Sequence, residues 1–442
     1  MAEDRLEEIH RNNVLLTRTG PGTPGGALLR RYWQPVALAR DIGPQGDPVP
    51  IRIMGEDLVL FRDDQGRVGL LGIKCAHRCA DLSYGRVEDG GLRCVYHGWL
   101  YDVSGRCLEQ PAEIDGGRAR DEVRQKAYPT HEAAGAIFAY MGPGEPPEFP
   151  AYAPIVAPEP YRIVGRWHID CNYLQGNEGN IDPVHTSYLH RYDSAKAETK
   201  AARSSQELFQ TDIAPKLSIE STRFGLRIYS ERKSRDPAKK ILRVTNFLMP
   251  NSSAIMGGEG NLGRGGYSVH WHVPIDDTSH WRFEFRFHSK RPLDRETARR
   301  YDLEKLPGDY PKRSKANRYL QDRQSMREGS YLGMGRVFPV HDVFVTESQG
   351  PIHEHADEHL AASDIAIVRA RRQMLDAIRE VEAGRDPVGV VRKAAENDFR
   401  DLLVLSEEVG ANIDPKVLCK ELEQENIYAL EPAVVGEVER AR

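Results

Sequence analysis

Residues 75–102 read CAHRCADLSYGRVEDGGLRCVYHGWLYD. Two short runs in this stretch, Cys75-Ala76-His77 and Cys94-Val95-Tyr96-His97, are separated by sixteen residues. Two thiols and two imidazoles in two loops make a four-ligand metal site. Zinc accepts two cysteines and two histidines, but its usual loops pair Cys with Cys and His with His. Here each loop carries one of each. That division suits a [2Fe–2S] cluster, in which two thiolates hold one iron and two imidazoles the other. The text around the loops is a succession of short β signals. A Gly55-Glu56-Asp57 turn interrupts 51–61, a second turn ending at Gly66 precedes 68–73, and Ser104-Gly105 joins 98–103 to 106–108. The expectation is a small all-β unit built to present two loops.

The rest of the chain sets that unit in context. Of 442 residues, 40 % are hydrophobic and 29 % charged, an ordinary globular balance that excludes disordered, collagen-like and coiled-coil chains. A net charge of −5 leaves no basic footprint for nucleic acid. Six cysteines are too few for a disulfide scaffold. The opening MAEDRLEEIHRNN has no apolar stretch, and no run approaches 18 apolar residues, so no membrane association and a cytoplasmic location are expected. Three zones follow: an arm over 1–30 ending in TGPGTPGG, the β-rich unit over 31–150, and a larger unit over 151–442. The stretch MGPGEPPEFPAYAP (141–154) reads as a linker. In the larger unit Trp281, Phe283, Phe285 and Phe287 alternate with Arg282, Glu284, Arg286 and His288, a half-buried antiparallel strand with 267–273 as its partner. Helical periodicity over 365–383 stops at Gly384, and a second helix is expected over 389–408. The fold class is α+β.

Residues 172–190, NYLQGNEGNIDPVHTSYLH, hold Asp182-x₂-His185-x₄-His190. Two histidines and a carboxylate with open positions are the donor set of non-haem Fe(II) sites that admit O₂ and substrate together. His-x₄-His alone is a weak signal; it gains weight behind an iron–sulfur unit. Residues i and i+5 of an α-helix point about 140° apart, so a π-type bulge or a helix break is expected between His185 and His190. Asp182 precedes Pro183, which points to an N-cap with proline at the first helical position.

The 75–102 stretch resembles the Rieske domain of ring-hydroxylating oxygenases, whose signature is Cys-x-His, about sixteen residues, then Cys-x₂-His and Gly-Trp. Asp182-x₂-His185-x₄-His190, with Asn172 and Gln175 before it as outer-sphere residues, resembles the iron motif of the same oxygenases. LTRTGPGTPGGALLRRYWQPV (16–36), ILRVTNFLMP (241–250), DRQSMREGSYLGM (322–334) and HEHADEHLAASDIAIVRARRQML (353–375) resemble the phthalate dioxygenase branch. The resemblance implies a helix-grip-like catalytic domain, with a central antiparallel sheet flanked by helices. It implies that Cys75, His77, Cys94 and His97 carry the cluster and that His185 and His190 hold mononuclear Fe(II). Asp182 would be the catalytic bridge, hydrogen-bonding a cluster histidine of a neighbouring subunit to an iron histidine. The third iron ligand would be Asp342, in VFPVHDVFVTESQGP (337–351), where His341 replaces a usual Glu; Glu347 is the fallback. Glu178 is expected to be exposed or outer-sphere. Cys79 replaces a usual Gly and is expected as a small buried thiol without a disulfide, with Trp99 packed on the loops.

The implied activity is that of a terminal oxygenase. A flavin- and iron–sulfur-containing reductase passes NAD(P)H electrons to the cluster, and O₂ hydroxylates an aromatic, carboxylated substrate. O-demethylation of a methoxy-arene is the alternative within the class; a pure Rieske electron carrier is the alternative outside it. The implied assembly is a homotrimer or a hexamer of stacked trimers. Arg203 and Arg243 are candidates for pairing with a substrate carboxylate, and 196–240 reads as a mobile loop at the active-site mouth.

Overall fold

The turn signals at Gly55, Gly66 and Gly105 close hairpins in the computed structural model, which describes residues 2–43, 46–191, 211–256 and 263–430. Strand β1 is Trp33–Leu38, β2 Val49–Ile53, β3 Glu56–Arg62, β4 Val68–Gly72, β5 Arg86–Glu88 and β6 Gly91–Arg93. They are followed by β7 Leu100–Tyr101, β8 Cys107–Glu109, β9 Ala127–Tyr128, β10 Thr130–Ala133 and β11 Ala136–Tyr140. β2 and β3 meet across Met54-Gly55, both at positive φ, the turn whose twist matches a hairpin. Two four-stranded sheets result, β2-β3-β4-β9 and β5-β6-β7-β8, with a three-stranded sheet β1-β11-β10 beside them. The first cysteine–histidine loop leaves β4, and the second joins β6 to β7. Both close on a small core of Val59, Phe61, Leu71, Leu92 and Tyr101, separate from the main one.

The larger part is an antiparallel sheet in the order β12-β18-β17-β16-β15-β14-β13, with β19 beside β15. Its strands are β12 Arg162–Ile169, β13 Lys216–Thr222, β14 Gly225–Lys233, β15 Lys239–Leu248, β16 Ser252–Ile255, β17 Gly266–Pro274, β18 His280–His288 and β19 Leu405–Gly410. The expected pairing of 267–273 with 281–287 is present as β17–β18. One face carries Trp271, Phe283, Phe285 and Phe287, packed against Phe138 of β11. The other face is polar, because antiparallel partners share a face: His272 opposes Arg282, His270 opposes Glu284 and Ser268 opposes Arg286. The strand was expected to be half-buried, yet this polar face is buried too, because helices roof it.

The helices that matter are α1 Ala2–Thr17, α2 Tyr173–Ile181, α3 Phe338–Ser348 and α4 Ile365–Glu382. α2 starts at Asn172, whose side chain accepts from the Leu174 N–H, and it lies over β16, β17 and β18 and against α3. α4 ends where Gly384 takes φ 73°. The roof is tight. An added Cβ on Gly176 of α2 would sit 2.5 Å from His272 Nδ1 and 2.6 Å from His280 Nε2. The two imidazoles are satisfied in series. His280 donates from Nδ1 to the Cys171 carbonyl (2.7 Å) and accepts at Nε2 from His272 Nδ1 (3.0 Å), and His272 accepts at Nε2 from Asn180 (2.7 Å). Burial pushes His280 down to about 3 and His272 well below its ordinary value, so both stay neutral.

Several sequence expectations change. Residues 389–408 are not a helix but a loop with a 3₁₀ turn at Ala394–Glu396, leading into β19. On β15, β16 pairs only with Asn246–Leu248, so the edge of β15 from Lys239 to Val244 is open, and β19 fills it. Of the loop expected over 196–240, residues 196–210 lie outside the described residues, and 216–233 form the β13–β14 hairpin. The proline-rich stretch 141–154 is pinned: Trp33 donates to the Pro147 carbonyl (2.9 Å) and the Glu148 N–H to the Val391 carbonyl (2.8 Å). The arm is also fixed, since Tyr173 and Asn172 at the start of α2 donate to the Leu16 and Thr17 carbonyls (2.8 Å each). Among the described residues no helix is long and apolar enough to cross a membrane.

Gly176→Ala should destabilise the fold by about 2 kcal/mol in urea unfolding, despite the ~1 kcal/mol helical advantage of alanine. The neutral buried histidines set a pH slope. The unfolded chain takes up protons near pH 6.5 that His272 and His280 refuse when folded, so stability is full above that value and falls below it. Between pH 7 and pH 5 the unfolding free energy should drop by about 2 kcal/mol for each histidine, measured by denaturant titration at the two pH values.

Candidate metal centres

The two cysteine–histidine loops share one backbone plan. In the first, the Cys79 N–H closes on the Cys75 carbonyl (2.8 Å); in the second, the Gly98 N–H closes on the Cys94 carbonyl (3.0 Å). The closing residue is left-handed in both, at φ 57° for Cys79 and φ 75° for Gly98. Cys79 is exposed, not buried as expected, because a left-handed corner turns its side chain away from the core. Gln125 fixes the first loop, accepting from the Ala76 N–H (2.8 Å) and donating to the Gly72 and Lys74 carbonyls. Inside, Cys75 Sγ lies 3.2 Å from the Tyr101 hydroxyl. The His77 and His97 rings are 4.5 Å apart, and Trp99 stacks on His77 at 4.4 Å and 3°.

The donor set fits a two-iron cluster better than one zinc. The two imidazoles face each other with ring centroids 4.5 Å apart and the two thiols lie together in the small core, the separate pairing that a two-iron cluster takes. His97 Nδ1 is buried without a partner, a donor position left for a bound group. All six cysteines are free thiols.

The second centre lies between α2 and α3. α2 stops at Asp182, whose ψ of 111° before Pro183 cannot continue a helix. Asp182 is therefore the C-cap of α2, not the expected N-cap. Its Oδ1 still accepts from the Val184 N–H (2.7 Å), but only a single 3₁₀ turn, His185–Ser187, follows. The helix break falls earlier than expected, at Asp182-Pro183 and not between His185 and His190, and the 3₁₀ turn that follows leaves the His185 and His190 rings 5.2 Å apart. α3 contributes Asp342 from across the seam. Ligand atoms of His185, His190 and Asp342 all lie within 4.8 Å of one another. Asp342 Oδ1 is 3.1 Å from His190 Nε2 and 3.9 Å from His185 Nε2. Asp182 Oδ2 lies 3.7 Å from the opposite edge of His185, at Nδ1. The two aspartates thus take different edges of one ring, and Asp342 is the one that converges with both histidines.

Charge is arranged accordingly. Burial raises Asp342, but His190 and His185 outweigh it and hold the carboxyl well below the usual range. Burial likewise opposes ionisation of Asp182, and the His185 ring overrides it, lowering Asp182 while His185 is raised. Burial pushes the Arg243 guanidinium, on β15, down to about 10; Arg232 adds to the effect, and Asp182 and Asp342 oppose it. A cavity of about 260 Å³ is lined by Asp182, His185, Asp342, Asn180, His272 and Arg282.

The other expected residues have distinct positions. Asn172 caps α2 and donates to the Thr17 and Asp277 carbonyls. Gln175 ties α2 to the end of α3 through the Thr346 and Gly350 carbonyls. Both therefore hold backbone, not imidazoles. Glu178 is not exposed; it is in a two-point pair with Arg371 (2.6 and 2.7 Å), which also grips Glu358. Glu347 is outside the trio and accepts from Tyr319 (2.7 Å) and the Asp170 N–H. Arg203 lies outside the described residues. Arg282, Arg371 and Gln125 belong to no motif. Only Arg282 carries a signal, the polar phase of β18, which a half-buried strand would turn to solvent.

Cys79→Gly should relieve the left-handed strain and stabilise the chain by roughly 0.5–1 kcal/mol, after allowing for the freer unfolded glycine. Thermal unfolding reads the gain, and visible absorption checks that the cluster is retained.

Known proteins share this architecture. A family model described as the Rieske [2Fe-2S] domain matches residues 32–125, and one described as LigXa C-terminal domain like matches residues 139–407. The phthalate 4,5-dioxygenase oxygenase subunit of Pseudomonas putida is 38 % identical over 86 % of this chain and 89 % of its own. The 5,5'-dehydrodivanillate O-demethylase oxygenase subunit of a Sphingobium species is 32 % identical over 87 % of this chain and 84 % of its own. The crystal structure of dicamba monooxygenase bound to dicamba superposes with a TM-score of 0.54 at 20 % identity, covering 81 % of this chain and all of that one, a likeness of fold. With two loops shaped for a [2Fe–2S] cluster, a histidine–carboxylate trio in the second unit and relatives matched along nearly the whole length, this chain belongs to the Rieske non-haem iron oxygenases, as an oxygenase subunit of the phthalate dioxygenase-like branch.

Proposed function

We propose that this oxygenase hydroxylates a small aromatic acid, with electrons from NAD(P)H delivered by a flavin- and iron–sulfur-containing reductase. The convergence of His185, His190 and Asp342 beside a cavity is the observation that carries the reading. Cys75 and Cys94 hold one iron of the cluster, and His77 and His97 the other. His185, His190 and Asp342 hold the mononuclear iron. Residues 31–150 form the Rieske unit and 151–442 the catalytic unit, after an arm over 1–30. When bound, the cluster supplies single electrons and the mononuclear iron supplies O₂ activation.

The chain's own residues do the positioning. Asp182 is anchored through Oδ1 on Val184, which leaves Oδ2 for the His185 ring. It also lines the cavity, where an imidazole of another subunit could reach it. The loop tip offers that imidazole: Tyr84, Val95 and Tyr96 around His97 are exposed apolar side chains suited to burial against a second copy. A tip-to-seam contact between different surfaces forms a closed ring when its rotation allows and an open filament otherwise; a homotrimer, alone or stacked as a hexamer, is the closed form. Arg243 faces the trio electrostatically and stays cationic at neutral pH, a charge suited to a substrate carboxylate.

Oxidative O-demethylation of a methoxy-arene is the second reading, favoured by the 32 % identical demethylase relative. O₂ uptake with a surrogate reductase, screened over aromatic acids and methoxy-arenes, separates the two: cis-diol or phenol from the first, formaldehyde from the second. Metal analysis should give three irons and two acid-labile sulfides per chain. Two irons would leave a pure electron carrier, and zinc without sulfide would remove the cluster. Asp182→Asn should load both centres fully yet lower turnover by ~10–100-fold; unchanged turnover would remove the bridge.

A further inference from the structure

One turn of α3 holds the His190 ring from three sides. Phe338 stacks on it at 4.7 Å and 23°, Asp342 Oδ1 faces Nε2 at 3.1 Å, and His341 Nδ1 faces Nδ1 at 3.2 Å. His341 is buried, and its other nitrogen, Nε2, lies 3.1 Å from the Gly335 carbonyl oxygen. A carbonyl only accepts, so the hydrogen of a neutral His341 is on Nε2, and its Nδ1 carries a bare lone pair. That lone pair can meet His190 Nδ1 at hydrogen-bond distance only if His190 carries its own hydrogen there. His190 Nε2 is then the unprotonated nitrogen. It faces a carboxylate oxygen, so two lone pairs oppose each other at 3.1 Å, an arrangement that a cation between them resolves. Gly335 takes φ 78°, a left-handed turn that aims its carbonyl at the His341 ring.

We propose that His341 is a positioning residue that fixes the tautomer of His190, so that Nε2 is presented to the metal. The proposal rests on the reading that His190 ligates iron. It also makes the two histidines unequal. His185 has a carboxylate, Asp182, at its Nδ1 edge, a group that can take a proton. His190 has a neutral imidazole whose own hydrogen ends on a carbonyl, so its N–H is locked. Outer-sphere partners of this kind orient the ligand ring and tune its basicity.

The test uses the full-length chain with its cluster intact, its mononuclear site emptied by a chelator and refilled with Co(II). Wild type should bind one Co(II) per site and show two exchangeable, paramagnetically shifted imidazole N–H resonances. In His341→Leu the His190 resonance should be lost to solvent exchange, and Co(II) affinity by chelator competition should fall ~10–100-fold. His341→Asn, whose side-chain oxygen can accept in place of Nδ1, should keep the resonance and stay within about threefold of wild type on the same scale. Equal loss in Leu and Asn, or no loss in either, would overturn the tautomer role. If the Leu variant fails to fold, the wild-type spectrum still decides, because a single N–H resonance contradicts the proposal. Failure of the wild type to bind Co(II) at all would instead defeat the assignment of the iron site.

Discussion

The close approach of α2 to the polar face of the sheet governs everything around the second centre. A sheet face bearing His270, His272, Arg282 and Glu284 can be buried only if its polar groups find partners, because an unpaired buried donor costs far more than a paired one contributes. α2 meets part of the demand by coming within Cβ-excluding distance at Gly176 and inserting Asn180 between His270 and His272. Once α2 is pressed to that depth, the break at Asp182-Pro183 falls at the seam with α3. The histidines after the break then swing toward Asp342 instead of along a helix.

The same depth gives each imidazole a direction. A neutral ring has one donor and one acceptor, so fixing either nitrogen fixes the other. His280 is oriented by a carbonyl, and His272 by His280. In the seam, His185 is approached by different carboxylates on its two edges. The seam is a set of rings oriented by their outer neighbours, and His185 and His190 are the rings whose inner edges converge on Asp342.

What could be read from the sequence was what is local. The metal-loop spacings, the β17–β18 alternation and the stop of α4 at Gly384 depend on residues within a few positions of one another. What could not be read depended on distant chain. Residues 389–408 have a composition that permits a helix, but the open edge of β15 claims part of them as a strand. Burial of the Arg282 face is decided by helices more than a hundred residues away in sequence on the α2 side. Asp182-Pro183 announces a boundary correctly, yet whether the aspartate ends one helix or begins another depends on how many turns follow it. Cys79 looks like a small core residue in one dimension and is an outside corner in three.

The pinned stretch 141–154 has a mechanical meaning. A hinge there would have to release the Trp33–Pro147 and Glu148–Val391 bonds and part the interlocked rings of Trp33, Phe138 and Phe149. The two units are joined as a beam, not as a pendulum. Such a frame cannot swing its redox tip toward a docking protein and back toward a seam, as a tethered carrier does. The joint instead holds the cysteine–histidine loops and the histidine–carboxylate seam at a fixed spacing within the chain, so that neither can be repositioned without unpicking the aromatic contacts between them.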